Sequence, residues 1–123
     1  MALFDTDVLI DHLLGKNGAT ETILKFKNVQ NYCSVITIGE ILFGMRLDEK
    51  EKTMELLDSL KPLEVTKKIV FSAYEIKAAL RGFNLELYDC IIAATALDNN
   101  LILVTKNSKH YPDKRLKLFI PEY

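Results

Sequence analysis

Short apolar runs of strand type alternate along this chain with longer stretches spaced for helices, and few folds accept that order. Ala2-Leu3-Phe4 reads as a first strand, followed by an apolar helix from about Val8 to Leu14. Lys16-Asn17-Gly18 breaks the chain, and Thr20 to Phe26 resumes as a helix. Tyr32-Cys33-Ser34 is a candidate second strand, after which Ile38, Ile41, Leu42 and Met45 fall at helical spacing. Asp48 as N-cap with Glu51 three residues later fits a capping box, and the helix it opens runs to Leu60, ahead of Pro62. Leu63 to Val65 is a short strand, Thr66 caps a helix reaching about Leu80, and Gly82 with Asn84 opens a loop. Tyr88 to Leu97 is apolar nearly all round, as suits a helix buried on several sides. Leu101–Val104 and Leu116–Phe119 are the last strands. This alternation predicts an α/β fold, with a mainly parallel sheet covered by helices on both faces. With no linker or repeat in 123 residues, a single domain over 1–123 is expected.

Composition narrows the function classes. With 49% hydrophobic and 27% charged residues the chain suits a soluble folded domain, and its apolar runs are far too short for a membrane span. The start, Met1-Ala2-Leu3-Phe4-Asp5, has no export signature, so a cytoplasmic protein is expected. Cys33 and Cys90 stand alone in apolar surroundings and read as buried thiols of a reducing compartment. Together with the distant His12 and His110 they offer no zinc-ligand spacing. The formal net charge of −1 argues against a broad basic face for nucleic acid. Any RNA contact has to use a local basic rim, a bound cation or a partner.

Most acidic residues lie in the charged stretch from Asp48 to Asp58, where a solvated helix face accounts for them. Asp5, Asp7, Asp11, Glu40, Asp89 and Asp98 instead sit inside apolar windows. In an open α/β sheet, ligands bind beyond the carboxyl ends of the strands. Asp5 directly follows the first strand, Glu40 lies early in the helix after the second, and Asp89 begins the apolar helix before the Leu101–Val104 strand. Three carboxylates meeting there need a cation, and hard oxygen ligands suit Mg²⁺ or Mn²⁺. Such an ion polarises a phosphodiester, activates water and stabilises the leaving oxygen. Each acid also has a structural role open to it. Asp5, Asp7 or Asp89 can cap or favour a helix start, and Glu40 completes a capping box with Thr37.

Phe4-Asp5-Thr6-Asp7-Val8-Leu9-Ile10-Asp11 resembles the opening motif of PIN domains, an acid at the end of the first strand followed by Thr. Ser34 to Ile41 is similar to the second block, with Glu40 as its acid, and Tyr88 to Ala96 to the third, with Asp89. Leu103 to Tyr111 resembles the block near the end. Four blocks in family order span nearly the whole chain and together are specific. The resemblance, to VapC-type toxins in particular, implies a three-layer α/β/α sandwich and a Mg²⁺- or Mn²⁺-dependent endoribonuclease. It also implies a homodimer silenced by a small cognate antitoxin. It carries Asp5, Glu40 and Asp89 over as metal ligands, with Thr6 assisting. Where the last block often has a further acid, this chain has Asn107 and His110; Asn107 can ligate through its carbonyl oxygen or position water. Arg46, Lys106 and Lys109 lie near the blocks as candidate RNA phosphate contacts, with solvated surface charge as the other account.

Two other enzyme-like patterns fit less well. Asp5-Thr6-Asp7 has the outline of a phosphatase nucleophile motif, but Leu9 stands where that motif wants Thr or Val. A phosphoacceptor domain needs a mid-chain Asp at a strand end, which is missing. The non-enzyme alternative is a degenerate PIN domain that binds RNA or protein without catalysis; all three core acids being present argues against it.

Overall fold

The computed structural model describes residues 1–123. Five strands form one sheet: β1 (Ala2–Phe4), β2 (Asn31–Ser34), β3 (Lys61–Leu63), β4 (Ile102–Val104) and β5 (Lys117–Phe119). Their order is β3-β2-β1-β4-β5, and every neighbouring pair is parallel. Six helices cover it: α1 (Thr6–Leu13), α2 (Asn17–Lys25), α3 (Val35–Gly44), α4 (Lys50–Asp58), α5 (Lys67–Ala79) and α6 (Leu87–Asp98). The three-layer α/β/α sandwich is as expected.

The two-residue period of β1 explains both cores. Leu3 faces one side, among Ile69, Ala73 and Ile76 of α5 and Ile91 and Ile92 of α6. Ala2 and Phe4 face the other, with Val8 and Leu9 of α1, Ile41 of α3, and Leu56 and Leu57 of α4. All three strand residues are fully buried, which is why the strand reads as an unbroken apolar run. α6 is covered just as completely, with Cys90 to Ala96 buried without interruption.

β1 is central, and the chain builds outward first to β2 and β3, then returns to lay β4 on its other side. That reversal leaves a crevice beyond the carboxyl ends of β1 and β4, where such sheets bind ligands.

Four local expectations shift. α2 starts at Asn17 and takes Gly18 inside the helix, because the chain's Tyr123 packs against that glycine. The capping interaction forms two residues earlier than expected and closes a short 3₁₀ turn: Glu49 Oε1 accepts from Arg46 N at 2.9 Å, and α4 follows from Lys50. β3 covers Lys61–Leu63 and so includes Pro62; the missing N–H is tolerated because β3 is an edge strand. Of the stripe Ile38, Ile41, Leu42 and Met45, only Ile41 is buried, and Thr37 joins it on the inner face of α3.

Candidate active site

The first acid is fixed by the end of β1. Asp5 N donates to Val104 O at 2.9 Å, continuing the ladder one residue past the strand, and the Asp5 side chain then caps α1. Its Oδ1 accepts from Thr6 N at 2.8 Å. Its Oδ2 accepts from the Thr105 hydroxyl at 2.8 Å and the Tyr111 hydroxyl at 3.0 Å. Asp5 is buried, so three donors replace the water it gives up. The capping role and the site role coincide in one side chain.

Glu40 reaches the same crevice from α3. Ser34, not Thr37, caps that helix, accepting from Ile36 N at 3.1 Å. The Thr37–Glu40 capping box is therefore not formed, and the Glu40 carboxylate is free to accept from Thr6 Oγ1 at 2.8 Å. The Thr6 oxygen also lies 3.1 Å from Thr37 Oγ1, so Thr6 ties α1 to α3 between the two acids.

Asp89 stands in the first turn of α6 with His110 Nδ1 3.5 Å from its Oδ2. Burial raises its pKa; His110 opposes this, and the charges of Asp5, Glu86 and Glu40 raise it further. The carboxylates thus act on one another across elements far apart in sequence. Asp7 is a fourth acid of the crevice. Its Oδ1 accepts from Val8 N at 2.7 Å, and its Oδ2 from Lys106 N at 3.1 Å and Asn107 Nδ2 at 2.8 Å. Burial first, and then the Asp5 charge, push Asp7 up to about 6 against the backbone donors. Burial, with Asp5 and Asp89 beside it, likewise raises the Tyr111 hydroxyl far above its ordinary range, so it stays a donor.

The geometry matches known proteins over its whole length. The PIN domain family pattern matches residues 2–113. The chain belongs to the PIN domain family. It is 34% identical over 115 residues to ribonuclease VapC10 of Mycobacterium tuberculosis, covering 91% of this chain and 86% of that protein. A chain of a toxin–antitoxin complex from Klebsiella pneumoniae superposes with a TM-score of 0.87 at 28% identity, covering 99% of this chain and 98% of that one. VapBC2 from Rickettsia felis, solved with a promoter DNA fragment, shares the fold at a TM-score of 0.85 and 19% identity, with 97% of each chain covered.

Within this PIN domain the expected site residues divide. Asp5, Thr6 and Glu40 are joined through hydrogen bonds, and Asp89 is coupled to Asp5 and Glu40 through its charge. Asn107 lies beside Asp7, its amide N–H₂ committed to that carboxylate. Lys106 borders the crevice through its backbone, while its ammonium stands over the Tyr123 ring. Lys109 is exposed on the turn Ser108–His110. Arg46 lines the groove that opens beside Glu40, and its guanidinium pairs with Glu49 at 3.2 Å and Asp48 at 3.6 Å on an exposed loop. Thr105 and Tyr111, both buried, also bond to Asp5; the sequence singled out neither as its partner, and for Tyr111 core packing was the expected role. A hydroxyl directly after a strand in an apolar window was the available signal for Thr105; Tyr111 offered none.

Proposed function

We propose that this PIN domain is a metal-dependent endoribonuclease that uses Mg²⁺ or Mn²⁺, and that it serves as the toxin of a VapBC-type pair. The observation that supports the reading best is the link through Thr6 between Asp5 and Glu40, with Asp89 and Asp7 close enough for their pKa values to be raised by the Asp5 charge. The donor set is all carboxylate oxygen, which suits a hard divalent cation. No group of three or more His, Cys, Asp or Glu side chains is close enough as they stand to hold one ion together. The set therefore fits an ion that one or two carboxylates touch directly and others reach through water, the usual habit of Mg²⁺. Asp5, Glu40 and Asp89 would hold it, and it would supply charge stabilisation and water activation at a phosphodiester.

The protein's own groups set up that chemistry. Thr105 and Tyr111 orient Asp5, and Thr6 orients Glu40, so each carboxylate keeps one direction without the ion. His110 Nδ1, 3.5 Å from Asp89 Oδ2, lies beside that carboxylate. The acids repel an RNA backbone, so binding needs cations at the rim, and Lys106 and Lys109 are the nearest candidates.

The antitoxin reading has its own support. Beside Glu40 opens a mostly apolar groove of about 290 Å³, lined in part by Ile10, Leu13, Leu14, Ile41 and Met45. A small partner could cover that groove and place an Arg or Lys against the carboxylates, competing with the cation. A homodimer is proposed from the exposed part of α3, where Phe43 is 97% accessible.

Expression in a bacterial host tests the proposal. This chain alone should arrest growth, and co-expression of its neighbouring gene product should restore it. The Asp5→Asn protein should be harmless yet still bind that neighbour. A well-expressed, soluble parent chain that leaves growth unchanged would count against the toxin role.

A further inference from the structure

Tyr123 joins three segments that are distant in sequence, and neither the acids nor the apolar groove makes use of it. Its hydroxyl donates to Asp11 Oδ2 on α1 at 2.7 Å. Its ring lies against α2 at Gly18, where a Cβ would overlap the Cβ and Cγ of Tyr123. Those atoms sit at the root of the side chain, so turning the ring could not make room. Over the ring stands the Lys106 ammonium, 3.9 Å from the centroid, well inside cation–π range. Lys106 is also the residue whose backbone N–H donates to Asp7, so the same residue borders the acidic crevice and rests on Tyr123. Its ammonium makes none of the protein's ion pairs, although it is near enough to Asp11 for its charge to help lower that acid's pKa. Asp11, the nearest acid partner of Tyr123, is already paired with Lys16 at 3.1 Å.

A lysine on a flexible stem gives up rotamer freedom when it meets a phosphate. One already held against a ring has given it up beforehand, which strengthens the contact without adding a new one. The need is real here, because a chain of net charge −1 with four acids in its crevice has few ways to attract RNA.

We propose that Tyr123 is a positioning residue for RNA: it holds Lys106 as a fixed cation beside the acidic crevice, to meet a backbone phosphate flanking the one that is cut. Gly18 is the seat that makes the hold possible. The proposal rests on the ribonuclease reading.

Two measurements test it, one without RNA. In the NMR spectrum of the free protein, the Lys106 ε-methylene protons should be shifted upfield by the ring. Tyr123→Phe, which keeps the ring, should preserve the shift; Tyr123→Leu and Gly18→Ala should abolish it while circular dichroism stays unchanged. The second measurement is binding of a short fluorescein-labelled single-stranded RNA of mixed sequence to the uncleaving Asp5→Asn protein across a salt series. Adding Lys106→Gln or Tyr123→Leu should each weaken binding about threefold and reduce the salt slope by about 0.7, one phosphate contact. The two together should do no more than either alone, because they remove the same contact. Tyr123→Phe should bind like its parent.

Unshifted Lys106 protons in the parent would overturn the hold itself. Additive losses, or a folded Tyr123→Leu protein with an unchanged salt slope, would overturn its role in holding Lys106 for RNA. If the Lys106 protons are shifted but the Asp5→Asn parent binds no RNA, the RNA role falls together with the ribonuclease reading, and the hold remains as a structural contact.

Discussion

Asp5 shows how one residue can satisfy a structural rule and still be chemically available. Its capping bond to Thr6 N uses Oδ1, while Thr105 and Tyr111 fix Oδ2 from the opposite side. Tyr111→Phe removes one of those donors without changing the ring that fills the core. Loss of an orienting partner of this type costs about tenfold or more in activity or metal affinity. We expect a fall of that size in RNA cleavage for Tyr111→Phe, measured with the melting temperature alongside; unchanged cleavage would show that Thr105 and Thr6 suffice. The acids themselves were legible in the sequence because carboxylates inside apolar windows are costly without a reason. Tyr111 was not, because a tyrosine in an apolar neighbourhood packs into a core far more simply than it reports a hydrogen bond to an acid.

Elements were read from periodicity, and the errors fall where a distant segment decides. β1 is fully buried, and so are most of β4 and the middle of α6 from Cys90 to Ala96, so these stretches are almost wholly apolar and their positions follow from sequence. Gly18 looked like a breaker because nothing nearby announces that Tyr123 will pack upon it. At α3, two capping residues competed in the sequence, Ser34 and Thr37, and Ser34 holds the role. That choice frees Glu40 for the crevice. Ser34→Ala should therefore cost about 1 kcal/mol of stability by chemical denaturation, the usual worth of an N-cap. A neutral result would place the start of α3 under the control of packing alone.

At the scale of the whole molecule, the strand order turns back at β1; Asp5 directly follows β1, Glu40 lies on the helix that follows β2, and Asp89 begins the helix that leads into β4. One face of the domain remains uncovered. Val35, Ile36, Phe43 and Tyr88 line a shallow apolar hollow of about 300 Å³ next to Glu40. A second copy related by a two-fold axis would bury Phe43 and set two acidic crevices on a shared surface. Phe43→Asp should then convert a dimer to a monomer in sedimentation at micromolar concentration. A parent chain that sediments as a monomer at that concentration would count against self-association through α3.

The central claim is that Asp5, Glu40 and Asp89 together hold the ion that cuts RNA. It is tested most directly by incubating the purified chain with total RNA in the presence of Mg²⁺ or Mn²⁺, with and without EDTA, beside the Asp5→Asn, Glu40→Gln and Asp89→Asn proteins. The account predicts cleavage by the parent that EDTA stops, and a loss of about a hundredfold or more in each folded variant. Cleavage by the parent that persists in EDTA, with Asp5→Asn as active as the parent, would contradict it.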